Sequence, residues 1–143
     1  MNILKVKTEK RKLGDIGELA AKKFLKKAGY KILEENYVFG DGEIDIICKN
    51  QTTMAFVEVK TRTLGHESPI EPRPAAAVTK KKQQKIIKAA SRFGAYYGRG
   101  LRKRLDVIEV LVDESSGKPI VAKINHLEGA FDKSDAFISP GGY

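Results

Sequence analysis

Two carboxylates and a lysine on neighbouring predicted strands are the residues of this sequence best placed to do chemistry. Residues 42–48 and 54–60 alternate in polarity and are separated by a short polar turn, which is typical of a β-hairpin. Antiparallel pairing about that turn puts Asp45 opposite Glu58, and Lys60 follows on the same face. We therefore expect these three side chains to converge.

The apolar residues of the hairpin favour this register. It places one set of apolar side chains together on the opposite face: Ile44, Ile46 and Cys48 against Val59, Val57 and Ala55. A slip of one residue would bury the charged side chains instead. The register also makes Asp45 and Glu58 direct neighbours, and like charges in that position destabilise a strand pair.

A divalent cation would convert this repulsion into coordination, because Mg²⁺ is commonly held by one or two carboxylates together with waters and phosphate oxygens. The pair thus predicts a Mg²⁺ or Mn²⁺ site. Lys60 would stabilise charge at a phosphate, or orient and help deprotonate an attacking water. The alternative is a solvated surface, with a Glu43–Lys60 ion pair and the other two carboxylates pointing into water.

Two predicted helices add further candidates. In the helix predicted over residues 15–28, Glu18 lies at the margin of the apolar arc, where it could reach the sheet. Its spacing from Asp15 also fits a capping box. In the helix predicted over residues 79–97, Lys82 projects onto the apolar face, so its ammonium group must reach solvent or an anion.

The charge distribution favours a polyanionic partner. Lys and Arg number 27 against 18 Asp and Glu, for a net charge of +9, and the stretch from Arg73 to Arg104 contains no acidic residue. Such blocks attract nucleic acids, although a solvated surface is the alternative. The expected nucleic-acid contacts are Arg62, Lys80, Lys82, Gln83, Lys85, Arg102 and Arg104. For Asp106, a structural pair with Arg104 is the favoured interpretation.

Several other classes are excluded. The single cysteine, Cys48, rules out an internal disulfide and any zinc site that needs several thiolates. His66 and His126 stand alone, so a zinc hydrolase is not indicated, and phosphate-loop and dinucleotide motifs are missing. No apolar run approaches the length of a membrane span or a signal peptide. We expect no membrane association and a cytoplasmic location.

The order of elements is helix, three strands, helix, two strands, which predicts an α/β fold with a mixed sheet of about five strands flanked by helices. The strands are expected near residues 31–38, 42–48, 54–60, 104–112 and 119–127, with a long loop over 61–77. Residues 1–12 are interpreted as a flexible basic arm, 13–132 as a single domain and 133–143 as a tail.

The spacing from Asp45 to Glu58-Val-Lys60 resembles the core motif of the PD-(D/E)xK nuclease superfamily. A longer set of motifs resembles the bacterial YraN family of endonuclease-like proteins over about residues 13–131. These motifs are Gly14-Asp-Ile-Gly-Glu18, Gly42-Glu-Ile-Asp-Ile46, Phe56-Val-Glu-Val-Lys-Thr-Arg62, Ala77-Val-Thr79 with Lys82-Gln83, Arg104-Leu-Asp-Val107 and Ala130-Phe131. The proline that names the superfamily is replaced by Ile44.

The resemblance implies a restriction endonuclease-like core similar to that of Holliday junction resolvases. It implies that Asp45, Glu58 and Lys60 are the metal and catalytic set, with Glu18 a third carboxylate near the metal. The expected function is a Mg²⁺-dependent endonuclease acting on DNA, including branched DNA, for which a homodimer would be suited. The alternative is a non-catalytic nucleic-acid-binding module on the same scaffold.

Overall fold

A computed structural model describes residues 8–65 and 78–131 of the chain. Two helices and five strands follow in the predicted order: α1 (Glu9–Lys27), β1 (Lys31–Phe39), β2 (Gly42–Lys49), β3 (Thr53–Thr63), α2 (Lys80–Tyr97), β4 (Arg102–Asp113) and β5 (Ile120–Phe131). The predicted α/β class and the five-stranded mixed sheet are confirmed. The architecture is consistent with a restriction endonuclease-like core.

The five strands form one sheet in the order β1-β2-β3-β4-β5. The first three strands form an antiparallel meander, β4 lies parallel to β3, and β5 returns antiparallel to β4. The parallel pair requires a crossover connection, and α2 lies within it. Because the chain passes over the sheet at this crossover, the start of α2 lies close to the middle of β3.

A helix covers each face of the sheet and creates two apolar cores. Helix α1 packs mainly on β3 and β4, and α2 packs mainly on β2 and β1. The core beneath α1 includes Ala21, Leu25, Val57 and Ile108, whereas the core beneath α2 includes Phe56, Ile86, Phe93 and Val107. Burial of β3 on both faces explains its continuous apolar sequence from Met54 to Val57.

Helix α1 begins earlier than its sequence suggests. Thr8 is the N-cap, and its side chain accepts a hydrogen bond from the backbone N–H of Arg11 at 3.1 Å. The predicted cap at Asp15 is therefore wrong, and Glu18 forms no capping box because it lies in the body of the helix. Residues 9–12, assigned to a basic arm from the sequence, are helical.

The predicted register between β2 and β3 is confirmed from Ile46 to Cys48. Ile46 pairs with Val57, Ile47 with Phe56 and Cys48 with Ala55. The prediction for Ile44 was wrong, because this side chain packs in the core beneath α2 rather than with Ile46 and Cys48 beneath α1.

The strands change face at Asp45. Its Oδ2 accepts a hydrogen bond from the backbone N–H of Val59 at 2.8 Å. This side-chain bond occurs where the backbone hydrogen bonds between β2 and β3 would otherwise continue. Asn36 of β1, between the residues that pair with Ile46 and Ile44, has a φ of 51°. This left-handed conformation is tolerated best by glycine and by Asn or Asp. The resulting irregularity turns Ile44 toward α2.

Two glycines allow the helices to approach the sheet next to Asp45. A Cβ atom at Gly17 of α1 would lie 1.8 Å from Oγ1 of Thr61, and one at Gly42 of β2 would lie 2.5 Å from the carbonyl oxygen of Lys85 in α2. Any larger side chain would push the helix away. These glycines therefore set the positions of both helices relative to the β2–β3 hairpin.

Some sequence predictions lie outside the described residues. They concern residues 1–7 of the basic arm, residues 66–77 of the long loop and residues 132–143 at the C-terminal end. Within the described residues, neither helix is long and apolar enough to cross a bilayer.

Candidate functional site

The carboxyl groups of Asp45 and Glu58 meet at the edge of the β2–β3 hairpin. Asp45 is turned toward β3 by its hydrogen bond from Val59, and its carboxyl group is in hydrogen-bonding contact with that of Glu58. Glu58 is buried, with 4 % of its surface exposed. The structure thus brings together the two carboxylates that the sequence places on adjacent strands.

The contact changes the acidity of the pair. Burial is the largest cause and, with the hydrogen bond and the negative charge of Glu58, raises the pKa of Asp45 to about 8, against the opposing effect of the Val59 N–H. The raised pKa favours a proton on Asp45 near neutral pH, since two carboxyl groups cannot both ionise side by side at low cost. A divalent cation would replace that proton and allow both to be charged.

A lysine already approaches Glu58 from α2. The Nζ of Lys82 lies 2.6 Å from Oε2 of Glu58. Burial alone would lower the pKa of Lys82, but the hydrogen bond and the charge of Glu58 outweigh it and raise the pKa. Lys82 lies in the first turn of α2. The N-cap of this helix is Thr79, whose hydroxyl accepts a hydrogen bond from the Lys82 backbone N–H at 3.2 Å.

Two clefts meet at Asp45. The α2-side cleft is lined by Glu58, Lys81, Lys82 and Lys85, and the α1-side cleft by Lys10, Arg11, Glu18, Lys60 and Arg62. Glu43 and Asp45 line both clefts. Asp45 therefore forms the ridge between a lysine-rich groove and a second groove that contains the other two predicted catalytic residues.

Lys60 is half-buried beside the carboxylates. Burial lowers the pKa of Lys60, and the nearby charge of Glu58 only partly compensates because Lys82 and Arg62 are also positive. An ammonium group that is partly desolvated and close to a carboxylate pair is well placed to contact an anionic oxygen. Alternation along β3 predicts Lys60 and Glu58 on one face, but Lys60 lines the α1-side cleft and Glu58 the α2-side cleft.

Glu18 faces the α1-side cleft from the middle of α1. Burial is the largest cause that raises its pKa, followed by the negative charges of Asp15 and Glu43. The negative charge of Glu18 also contributes to the raised pKa of Asp45. Among the described residues, however, no three His, Cys, Asp or Glu side chains lie close enough together to hold one metal ion. Glu18 is therefore a neighbour of the pair rather than part of a three-carboxylate cluster.

The residues predicted to contact nucleic acid are divided by the fold. Lys80, Lys82 and Lys85 lie at the start of α2, beside the α2-side cleft, where Lys85 also pairs with Asp41 at 3.5 Å. Arg62 lies in the α1-side cleft. Because Lys82, Lys85 and Arg62 border the clefts that meet at Asp45, a bound polyanion could contact both these cations and the carboxylates.

The other three predicted contacts lie elsewhere. Gln83 is buried and its amide donates to the carbonyl oxygen of Val78 at 2.8 Å, so it fixes the start of α2. Arg102 pairs in register with Thr53, at the opposite end of β3 from Lys60. Arg104 is 14 % exposed and faces the buried Asp106.

Arg104 and Asp106 belong to a buried network beneath the end of α1. The guanidinium donates to both carboxylate oxygens of Asp106, at 2.8 and 2.9 Å, and to the hydroxyl of Tyr30 at 2.7 Å. The carboxylate also contacts Nε2 of His126 at 2.8 Å and accepts from the backbone N–H of Gly129. A fully paired buried carboxylate of this kind holds strands together, as the favoured interpretation of Asp106 proposed.

Sequence reasoning missed cations and a carboxylate that line the clefts. Lys10 and Arg11 are predicted as part of the arm, although Leu13, three residues before Ile16, continues the apolar periodicity of α1 upstream of Asp15. Lys81 is not among the expected nucleic-acid contacts, although it lines the α2-side cleft. Glu43 was considered only as a partner for Lys60, whereas it borders both clefts.

Comparison with known proteins identifies the family of this chain. Residues 17–110 match the model of the uncharacterised protein family UPF0102, a stretch that includes Glu18, Asp45, Glu58 and Lys60. The chain belongs to this family. It is the YraN family that the sequence motifs resemble.

Members of UPF0102 from several bacteria are similar over most of their length. The chain is 40 % identical over 131 residues to a UPF0102 protein of Caldanaerobacter subterraneus subsp. tengcongensis, covering 87 % of this chain and 98 % of that protein. It is 42 % identical over 123 residues to one of Caldicellulosiruptor bescii, covering 85 % and 98 %. A Chloroherpeton thalassium member is 46 % identical over 106 residues, covering 71 % and 77 %.

Proposed function

We propose that this protein is a metal-dependent nuclease that hydrolyses phosphodiester bonds in DNA. The observation that carries the proposal is the contact between the carboxyl groups of Asp45 and Glu58, bordered by Lys60 and Lys82. Two carboxylates held together against their repulsion, with ammonium groups beside them, match the needs of phosphate chemistry better than those of a purely structural site.

The donor set fits Mg²⁺ or Mn²⁺. Both ions prefer carboxylate, water and phosphate oxygens, and Asp45 and Glu58 offer only carboxylate oxygens. The buried Oε2 of Glu58 already faces a cation, because the ammonium group of Lys82 lies 2.6 Å from it. A two-carboxylate set leaves the remaining coordination positions for water and substrate, which is the usual arrangement for Mg²⁺.

The chain's own residues would divide the remaining work. A bound cation would supply Lewis-acid activation of the scissile phosphate and of the attacking water. Lys60 would donate a hydrogen bond to a phosphate oxygen as negative charge develops there. Lys82, released from Glu58, would contact a neighbouring phosphate, and Glu18 would orient a water in the α1-side cleft.

The surrounding cations would supply affinity for the DNA backbone. Lys10, Arg11 and Arg62 border one cleft, and Lys81 and Lys85 border the other. Contacts of this kind are independent of sequence, and the logarithm of their affinity falls linearly with the logarithm of salt concentration. We place this activity in the cytoplasm, where bacterial DNA is found.

Cleavage assays with matched variants test the proposal. Purified protein is incubated with Mg²⁺ or Mn²⁺ and with linear duplex, single-stranded and four-way-junction DNA. We expect cleavage of at least one substrate, and a loss of about 100-fold or more for Asp45→Asn, Glu58→Gln and Lys60→Met, the scale of losing a main electrostatic group. Asp113→Asn, at the end of β4 and outside both clefts, is the control and should retain full activity.

Two results would contradict the proposal. One is an absence of cleavage of every substrate by protein that binds DNA. The other is full cleavage by Asp45→Asn. For junction substrates, size-exclusion chromatography with light scattering would measure whether the active form is the symmetric dimer that paired incisions require.

A non-catalytic nucleic-acid-binding module is the second candidate, and the ion pair between Lys82 and Glu58 favours it. A lysine 2.6 Å from a carboxylate can neutralise that carboxylate permanently, so the scaffold would need no metal. In this case wild type and Asp45→Asn would bind DNA equally, neither would cut it, and calorimetric titration with Mn²⁺ would show no binding at the pair.

A further inference from the structure

One side of α2 carries an uninterrupted line of cations. Lys81, Lys85, Lys88 and Arg92 are spaced three or four residues apart, so they lie one above another along the helix, and Tyr96 continues the line. We call these four cations the basic stripe. Helix α2 contains no acidic residue. Lys81 and Lys85 also line the α2-side cleft, so the stripe starts beside the carboxylate pair.

The other end of the stripe is aromatic and exposed. The guanidinium of Arg92 lies over two rings, 5.5 Å from the centre of Phe39 and 5.0 Å from the centre of Tyr96. Tyr96 and Tyr97 are 65 % and 66 % exposed, and Phe39 is 40 % exposed. We call Phe39, Tyr96 and Tyr97 the aromatic platform.

The platform is supported from below. The ring of Tyr97 lies 4.7 Å from that of Phe93, which is buried in the core beneath α2. Phe39 is held against the helix by Arg92, and the turn after it is held by the ion pair of Asp41 with Lys85. Rings fixed in this way lose little conformational entropy when a flat ligand stacks on them.

The chemistry of this surface selects among possible occupants. A second copy bound symmetrically would bring one basic stripe against another, and like charges across an interface oppose association. A regular duplex offers phosphates to the stripe but keeps its bases stacked inside. A strand with unpaired bases offers both phosphates for the cations and exposed π-faces for the rings, the combination used by proteins that bind single strands.

We propose that the basic stripe and the aromatic platform form a subsite for a DNA strand with unpaired bases. Binding itself follows from the surface, whereas the position of cleavage relative to the platform rests on the proposed nuclease function. From Lys82 to Tyr96 the helix rises by about 21 Å, which corresponds to about six nucleotides of a strand that is still paired over this distance, at the spacing of about 3.4 Å in B-form DNA. The preferred substrate therefore has unpaired bases about six nucleotides from the cleaved bond.

Binding measurements in EDTA test the subsite without cleavage. Fluorescence anisotropy is recorded for a labelled 20-nucleotide oligo(dT) and for a duplex of the same length. Tyr96→Ala and Tyr97→Ala should each weaken oligo(dT) binding by about 5- to 150-fold, the effect of removing one stacked base, while duplex affinity changes less than about twofold. Tyr96→Phe keeps the ring and should bind like wild type. Ile120→Ala removes another exposed apolar side chain, from β5, and is the matched control.

A stacking signal separates the platform from general charge attraction. A single 2-aminopurine within oligo(dT) should lose fluorescence on binding wild type and Tyr96→Phe, and the loss should be smaller with Tyr96→Ala. Arg92→Gln should lower the salt slope by about one unit, whereas Tyr96→Ala should leave the slope unchanged.

Several outcomes would overturn the inference. These are unchanged oligo(dT) affinity in both alanine variants, an equal loss for duplex and single strand, and a dimer in wild type that Tyr96→Ala dissociates. Ring-dependent preference for oligo(rU) over oligo(dT) would overturn the assignment to DNA. Cleavage without ring-dependent binding would remove the subsite and leave the nuclease proposal intact. Ring-dependent binding without cleavage would contradict the nuclease proposal and leave the subsite intact.

Discussion

Replacing Asp45 with asparagine should make the metal-free protein more stable. Asparagine resembles the protonated carboxyl group, because its oxygen can accept from the Val59 N–H and its amide can donate to Glu58. The variant therefore keeps both contacts of Asp45 and removes the cost of ionising it beside another carboxylate. Active sites commonly contain such residues, whose replacement increases stability and abolishes function.

The size and the sign of the effect follow from the pKa. Burial and the contact with Glu58 raise the pKa of Asp45 from an ordinary value of 3.8 to about 8. The folded state thus holds a proton that the unfolded chain releases, so wild-type stability falls as pH rises above 3.8, and this loss is complete only above the folded value. At pH 7 about three units at about 1.4 kcal/mol each give a ceiling of about 4 kcal/mol. Because the side chain retains contact with water, we expect a gain of about 1–3 kcal/mol for Asp45→Asn.

Urea unfolding in EDTA, followed by circular dichroism at about pH 4, 7 and 8, measures this difference. The gap between Asp45→Asn and wild type should be close to zero at the lowest pH and widen toward the highest. Glu43→Gln, which removes an exposed carboxylate from the same strand, should show no comparable widening. Adding Mg²⁺ or Mn²⁺ should stabilise wild type, by about 2.7 kcal/mol at 100 times the dissociation constant, and should not stabilise Asp45→Asn.

The reasoning would be refuted by either of two results. If Asp45→Asn is no more stable than wild type at the highest pH, the two carboxyl groups are not in contact in solution. If the cation stabilises both proteins equally, it binds somewhere other than at the pair. Neither result depends on finding the right nucleic-acid substrate.

Three further predictions concern packing and buried charge. Gly17→Ala should lower the free energy of unfolding by about 1–3 kcal/mol, because the added Cβ would overlap Thr61. Gly14→Ala, at a position in the same helix with open space around it, should raise the free energy of unfolding by about 0.5–1 kcal/mol. Denaturant titrations measure both changes. Arg104→Met should cost about 3–5 kcal/mol by leaving Asp106 buried without its main partner. Burial raises the pKa of Asp106, but hydrogen bonds from His126, Arg104 and Gly129 outweigh it and lower the pKa below its ordinary value of 3.8. The ionised Asp106 therefore stabilises the wild-type protein at pH values above 3.8. This stabilisation is lost as the pH falls through the lower pKa of the folded state. Burial raises the pKa of Cys48 to about 12, so alkylation by iodoacetamide at neutral pH should proceed only at the rate of unfolding; fast labelling of folded protein would contradict its burial.

Strand positions and the hairpin register could be predicted from the sequence because they depend on local alternation. The apolar residues of β2 and β3 permit one parity, and that parity places Asp45 beside Glu58. The irregularity at Asp45 could not be predicted in the same way. It depends on a side-chain hydrogen bond to Val59 and on the left-handed Asn36 of a third strand, so it follows from three strands together.

Long-range polar contacts were also beyond the reach of sequence patterns. Arg104 contacts Tyr30 across 74 positions of the chain, and Asp106 contacts His126 across 20. Only the pair of Arg104 and Asp106, which are two positions apart, could be predicted from the sequence. The same limit applies to the aromatic platform, because Phe39 and Tyr96 come from distant elements that Arg92 joins.

The scaffold explains how a repulsive carboxylate pair can persist. Asp45 lies where β2 changes face, and each helix is brought close to the sheet beside it by a glycine, Gly17 for α1 and Gly42 for α2. The two apolar cores fix the backbone on both sides, so the carboxyl groups cannot move apart without disturbing one of them. Removing the charge relaxes the site, whereas enlarging either glycine shifts a helix and with it Glu18 or Lys82. The two kinds of variant should therefore differ in stability. Removing the charge of Asp45 should give a more stable but inactive protein, whereas replacing Gly17 or Gly42 should give a less stable protein in which the clefts are no longer aligned.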